Sequence, residues 1–366
     1  MKIGIIHSSN KEQEKRYPLH IEHIFKFSDE ELSQIIFEKN YPGLDGISGL
    51  KPITEMNRED VFSFSDIVVL PKPTEQDFSS FRNGQTIFGW LHCVQGREIT
   101  QVGIDKALTY IAWESMYKWD NKSKLFHIFQ RNNELAGYCA VMHALSLVGD
   151  TAGSYGKEKK IAVLGYGSSG KGTIHALKGL GCSDLTVYTR RKKSDISDAI
   201  TNVKYLQYDI VSDMVLLDGK QANQVLPNYD IIVNCILQDT DNPITFLSNQ
   251  DVLGLRKNLL IIDVSCDKGI GFEFAIPTSF ENPLRKFNLI TYYSVDHTPS
   301  YLWEAASYEI SEAVFPFIKY MIVNGSYEGN EVLEKAKEIE NGRIVNPKII
   351  RYQKRNCHFP YENEVR

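Results

Sequence analysis

The stretch KIAVLGYGSSGKGTIHALKGLG, residues 160–181, constrains the fold more than any other part of the chain. An apolar run from Lys160 to Leu164 leads into Gly165, Gly167 and Gly170, and helix-forming sequence follows at once. The first glycine permits a tight turn, the second leaves room for a ligand to approach the backbone, and the third lets helix pack closely on strand. The opening turn of that helix, through Ser168 and Ser169, offers N–H groups without intrahelical partners beside the positive end of the helix dipole. Such a turn suits a phosphate. A second apolar strand, Leu185 to Thr189, follows at the spacing of a dinucleotide-binding βαβ unit.

The end of that second strand selects the dinucleotide. An Asp or Glu there would bond the ribose 2′-hydroxyl of NAD, whereas basic residues accommodate the 2′-phosphate of NADP. Here Arg190, Arg191, Lys192 and Lys193 follow in a row, with no carboxylate until Asp195. An arginine can grip a phosphate in a bidentate manner. NADPH (or NADP in the oxidised form) is the expected cofactor, with Gly165, Gly167, Ser168, Ser169, Gly170, Arg190 and Arg191 around it.

The rest of the chain reads as alternating strands and helices, the pattern of a covered, mostly parallel sheet. Lys2 to His7, Ser65 to Leu70 and Thr86 to His92 are strand-like in the first third, and Phe27 to Lys39 has helical spacing. From Glu134 to Val148 the pattern is that of a buried helix, and the polar, Gly-bearing Thr151 to Lys160 marks a boundary. Further central strands are expected at Asp230–Ile236, Leu259–Ser265 and Leu289–Val295, each rich in Val, Ile and Leu. Ser300 to Val323 is helical in period, interrupted at Pro316, and no function is read from the polar tail beyond Val345.

With 366 residues, two domains are expected. Lys plus Arg number 41 and Asp plus Glu 46, a net charge of −5, which argues against nucleic acid as a partner. No apolar run approaches the ~20 residues a membrane span needs, and MKIGIIHSSN lacks a signal-peptide core, so a cytoplasmic chain is expected. Its six cysteines contain no CxxC pair and read as buried thiols, while His20 and His23 read as a structural or solvated pair. No metal site is expected.

Four more residues stand in suggestive settings: Arg16 in EKRYPLH, Lys72 between prolines in LPKP, His92 ending GWLH, and Asp267 after IIDVSC. Singly, each has a bland reading as surface charge, core histidine or turn. Together with EKRYPL, NGQTIFGWLH, NNELAGYCAVMHAL, the glycine loop, LLIIDVSCDKG and VDHTPSYLWEAASYEIS, they resemble the alanine dehydrogenase / pyridine nucleotide transhydrogenase superfamily. Within it the resemblance is greatest to the N5-(carboxyethyl)ornithine synthases. It implies that Arg16 binds the carboxylate of a 2-oxo acid, that Lys72 holds the oxo acid and polarises its carbonyl, that His92 is the acid/base, and that Asp267 lies beside the nicotinamide. Two departures from alanine dehydrogenase stand out. The acidic ribose ligand is replaced by the basic run, and Asn-Met-Pro is replaced by His297-Thr298-Pro299.

The expected fold is α/β, with two Rossmann-like domains of parallel, doubly wound sheet and a deep interdomain cleft. Residues 1–135 plus 298–366 would form the substrate domain, and 136–297 the NADP(H)-binding domain. The expected reaction is NADPH-dependent condensation of pyruvate with the side-chain amine of ornithine or lysine. Alternatives are alanine formation from ammonia, a saccharopine-type dehydrogenase, or a catalytically silent NADP-binding sensor. A homo-oligomer, dimer or tetramer, is expected. Tyr301, Trp303 and Glu304 are candidates for the amine pocket on position alone, against plain helix packing.

Overall fold

The computed structural model describes residues 1–46, 49, 51–212, 214–237 and 242–362. It divides into two compact units, Met1–Gln130 with Trp303–Arg366 and Arg131–Leu302. In the first unit, β1 (Ile3–Ile5), β2 (Ile35–Glu38), β3 (Thr54–Met56), β4 (Ile67–Val69), β5 (Thr86–Gly89) and β6 (Thr109–Ala112) lie parallel in the order β3-β2-β1-β4-β5-β6. Winding therefore reverses between β1 and β4, and the crevice past the carboxyl ends of those strands is where such sheets bind ligands. Alternate residues face opposite cores. Ile67 and Val69 join one cluster, and Val68 joins the other with Val61 and Phe62.

Phe27 to Lys39 is not one helix. After α1 (Ile21–Ile24), the single turn α2 (Asp29–Leu32) is closed by a capping box between Ser28 and Glu31. The chain then enters β2, where Ile35, Ile36 and Phe37 are buried and pair with β1. β-Branched and aromatic side chains gain more on a covered sheet than as a short helix. The strand expected over Thr86 to His92 also stops early, at Gly89. Helices α3 (Arg58–Phe64) and α4 (Arg97–Asp105) follow β3 and β5, and the hairpin β7 (Tyr117–Asp120) and β8 (Ser123–His127) was not foreseen.

Within the second unit, α5 (Gln130–Val148) precedes β9 (Ile161–Leu164), α6 (Ser168–Gly179), β10 (Leu185–Thr189) and β11 (Lys204–Val211). Antiparallel β12 (Met214–Leu217) and β13 (Lys220–Gln221) extend that edge, and the one-turn α7 (Ala222–Val225) leads on to β14 (Ile231–Asn234). A separate pair, β15 (Thr245–Leu247) and β17 (Gly271–Phe272), flanks β16 (Leu260–Asp263) in sequence, and β18 (Leu284–Phe287) and β19 (Ile290–Tyr293) complete the main sheet. Its parallel part runs β11-β10-β9-β14-β16-β19, the same winding as the first unit. The strand expected at Leu289–Val295 is β19, parallel to β16 but also paired antiparallel with β18.

The last segment returns to the first unit. α8 (Trp303–Asn324) continues through Pro316 without a break, and its buried Ile310, Val314, Ile318 and Met321 pack into the core around β1 and β4. After α9 (Glu331–Lys335), β20 (Lys337–Glu340) pairs antiparallel with β6 and with β21 (Arg343–Ile344), and α10 (Pro347–Gln353) follows. The polar tail is therefore structural, since Gln353 and Arg355 are buried and hydrogen-bonded to each other at 2.6 Å. Among the described residues no helix is long and apolar enough to cross a membrane, and no cluster of His, Cys, Asp or Glu suits a metal. All six cysteines are free thiols; Cys357, against expectation, is exposed, because it sits on the surface turn after α10.

Candidate functional site

Arg16, Lys72 and His92 all lie past the carboxyl ends of the first unit's strands. Arg16 is buried, donating Nε and Nη2 to the carboxylate of Glu14 at 2.8 and 2.5 Å, with its guanidinium over the Trp90 ring at 4.8 Å. A planar guanidinium clamped on one side by a carboxylate and on one face by an indole has little freedom left. Trp90 in turn donates its N–H to Pro71 O at 3.1 Å, next to Lys72. The prolines on either side fix φ near −65° for residues 71 and 73. The Lys72 carbonyl accepts the Ser9 hydroxyl at 3.2 Å, which joins the ends of β1 and β4 across the reversal.

His92 is exposed and sits in a turn, not at the end of a strand, with φ +50°. A non-glycine residue there is strained and persists only where neighbours enforce it. The enforcing groups are visible. Glu114 accepts the N–H of His92 at 2.5 Å and that of Leu91 at 3.3 Å, drawing both off the β5 ladder. Gly96 donates to His92 O at 2.9 Å, and Gln353 from α10 donates Nε2 to Cys93 O at 2.7 Å. Sequence reading passed over Glu114 and Gln353. The only signal for Glu114 was a lone carboxylate directly after an apolar strand.

Burial, with the nearby charge of Glu338 adding to it, pushes the Glu114 carboxyl from 4.5 up to about 7. Hydrogen bonds from Leu91 and His92 work in the opposite direction. A carboxyl that is harder to ionise folded than unfolded stabilises the native state below its unfolded value and loses that contribution as pH rises through the folded one. Thermal unfolding should therefore fall to lower temperature between about pH 5 and 7.5. Glu114→Gln, which removes the titrating carboxyl while keeping one of its two acceptor oxygens, should flatten that decline in scanning calorimetry; an unchanged slope would show that Glu114 does not titrate there.

In the second unit Gly165, with φ +96°, makes the turn after β9. A Cβ on Gly170 would stand 2.3 Å from Gly165 O, whereas one on Gly167 would meet nothing within 4 Å. Gly167 is also the N-cap of α6 and makes no side-chain cap, so the N–H groups at Ser168 and Ser169 open on that space. This cradle fits a pyrophosphate. Arg191 reaches back over it. Its guanidinium lies 5.0 Å from the Tyr166 ring, bonds the Tyr166 carbonyl, and comes within 3.9 Å of Asp198, which Lys171 also pairs. Arg190 is exposed at the end of β10. Tyr166, Lys171 and Asp198 were not singled out from sequence, since nothing local marks their convergence.

Asp267 stands half-buried past β16, with burial raising its pKa, and its carbonyl closes a turn by accepting the Ile270 N–H at 3.2 Å. Beneath it Asp263 is fully buried, bonded by Tyr292 OH at 2.8 Å and Asn234 Nδ2 at 2.9 Å, and burial pushes it up to about 6. This network ties β14, β16 and β19 together under the Asp267 turn. The sequence candidates for an amine pocket make packing contacts. Tyr301 stacks on His143, Trp303 leans on Tyr17, and Glu304 accepts Tyr17 OH at 3.0 Å and pairs with His20. His23 is bonded by Glu312 and Ser311, so both histidines of the early pair are structural.

Two Rossmann-like units, one carrying a glycine cradle at the N-terminus of a helix, define a dinucleotide-using oxidoreductase architecture. Residues 141–347 match the family model described as "Alanine dehydrogenase/PNT, C-terminal domain", and the chain belongs to this family. Proteins named N(5)-(carboxyethyl)ornithine synthase from Clostridium botulinum and Lactococcus lactis are each 28% identical, covering 86% and 85% of this chain and 92% and 93% of their own. A solved L-alanine dehydrogenase superposes with a TM-score of 0.74 at 19% identity, covering 96% of this chain and 99% of its own, which establishes the shared fold.

Proposed function

We propose that the protein catalyses NADPH-dependent reductive condensation of a 2-oxo acid, pyruvate or a close analogue, with the side-chain amine of an amino acid such as ornithine or lysine. The observation that carries this reading is the set of cationic and proton-transferring groups past the carboxyl ends of β1, β4 and β5 in the first unit. Arg16, held rigid by Glu14 and Trp90, meets the oxo-acid carboxylate. Lys72, directed by its flanking prolines, donates to the carbonyl oxygen and stabilises negative charge developing there. His92 on its enforced turn takes a proton from the amine as it attacks and returns one as water leaves, which suits an imidazole whose ordinary pKa is about 6.5. By its resemblance to the family, Asp267 assists the attacking amine.

NADPH, when bound, supplies the hydride that reduces the imine. Gly165, Gly167, Ser168, Ser169 and Gly170 hold its pyrophosphate, and Arg190 and Arg191 hold the 2′-phosphate. The domain roles follow, with residues 1–135 plus 298–366 binding substrate and 136–297 binding NADP(H). The names of the 28%-identical relatives support the amino-acid amine over ammonia. In the test, purified protein is incubated with pyruvate and either NADPH or NADH, together with L-ornithine, L-lysine or ammonium, and the product is identified by mass. NADPH consumption with an N-(1-carboxyethyl) amino acid as product is expected. Turnover with ammonium alone would make the protein an alanine-forming enzyme, and equal use of NADH would remove the role of Arg190 and Arg191.

A further inference from the structure

Beside His92 the first unit holds a cavity of about 400 Å³, large enough for a small metabolite. Its walls come from the turn after β5, the hairpin β7–β8, and the segment from β20 to α10. Two carboxylates and two lysines give it its character. Glu338 is 3% exposed and accepts the Ser115 hydroxyl at 2.5 Å and Asn346 Nδ2 at 2.7 Å. Glu114 stands across from it, near enough for the charge on Glu338 to raise its pKa. Burial raises the Glu338 pKa, and the nearby Lys124, which lies over the Tyr117 ring at 3.9 Å, and Lys348 pull weakly against it.

The other two lysines of the cavity are already paired, Lys335 with Glu331 at 2.8 Å and Lys337 with Glu340. Among the described residues, no carboxylate lies at ion-pair distance from Lys124 or Lys348. Lys124 and Lys348 repel each other, and an incoming carboxylate would relieve that repulsion. The paired acids, in turn, would be relieved by an ammonium group. Opposite charges on neighbouring walls are complementary to a zwitterion, which neither a plain anion nor a plain amine matches.

We infer that this cavity binds the α-amino-acid end of the amine substrate, with Lys124 and Lys348 receiving its α-carboxylate and Glu338 and Glu114 its α-ammonium. The inference rests on the proposed function, because the side-chain amine of a molecule so held would point along the wall that His92 lines. It also explains how a chain of this family distinguishes an amino-acid amine from ammonia, by adding a head-group pocket next to the acid/base.

The test uses the full-length protein and its Lys124→Ala/Lys348→Ala and Glu338→Gln variants, with thermal melts confirming that each is folded. Calorimetric titration of the wild type should show L-ornithine or L-lysine binding at least about ten-fold more tightly than 1,4-diaminobutane, which lacks the carboxylate. Both variants should lose about ten-fold or more in amino-acid affinity and gain as much in the KM for the amine, while the KM for pyruvate moves less than two-fold. Unchanged amino-acid affinity in a folded double-lysine variant, or equal binding of 1,4-diaminobutane by the wild type, would overturn the pocket. Amino-acid binding that the variants abolish, in a protein that never consumes NADPH, would uphold the pocket and refute the proposed reaction.

Discussion

Replacing Lys72 or His92 with alanine should lower turnover by about two to four orders of magnitude, the range typical for loss of a positioned acid/base or charge-stabilising group. The two losses should differ in kind. Without Lys72 the oxo acid loses a contact present both before and during reaction, so KM for pyruvate should rise as kcat falls. Without His92 proton transfer suffers, so kcat should fall with little change in KM for pyruvate. Lys72→Arg should not restore activity, because a planar fork on a longer stem cannot place one donor where the ammonium stood. NADPH affinity, measured by fluorescence titration, should stay within two-fold in all three, since the cradle lies in the other unit. Turnover near wild type in either alanine variant would remove that residue from the chemistry.

The second large effect concerns packing. Helices α5 and α6 touch backbone to backbone. A Cβ on Gly172 would stand 1.7 Å from Glu134 O, and one on Gly137 would stand 1.9 Å from Ser169 O. No rotamer change relieves such a clash, so the helices must separate. Gly172→Ala should cost about 3 kcal/mol, the upper end for overpacking. In a unit of this size that is a fall of roughly 6–12 °C in unfolding temperature. Because Ser169 belongs to the phosphate turn, Gly137→Ala should also weaken NADPH binding. Gly179→Ala on the same α6 has nothing within 4 Å and serves as the control, expected to be neutral or slightly stabilising. If Gly172→Ala melts with the control, the close crossing is not what holds the helices.

Much of this was legible in the sequence. The glycine spacing between β9 and α6, and the long apolar runs of β14 and β16, carry strong local signals, and each fell where the residues indicated. Phe27–Lys39 misled because a capped turn and a buried strand share the apolar spacing of a helix, and only pairing with β1 decides between them. Glu114 was invisible for a different reason. Its character comes from burial by the folded unit, from Glu338 more than two hundred residues away in the chain, and from two N–H groups that leave a ladder. The convergence of Tyr166, Lys171, Arg191 and Asp198 likewise depends on the β9–α6 turn, the first turns of α6 and the β10–β11 connection meeting in space. Local spacing records turns and faces, whereas charge environments are assembled by the fold.

The first unit is written in two pieces, with β20 from the far end of the chain pairing with β6 and α10 bracing the turn that carries His92. A ribosome releases the whole of the intervening unit before it makes either of these parts. Arg131–Leu302 is contiguous and can close as soon as it emerges, while Met1–Gln130 must wait with the edge of β6 and the core face meant for α8 uncovered. During that interval the nascent chain exposes its most aggregation-prone surface, and truncation just before Trp303 should leave a dinucleotide-binding half beside a partner that cannot finish folding.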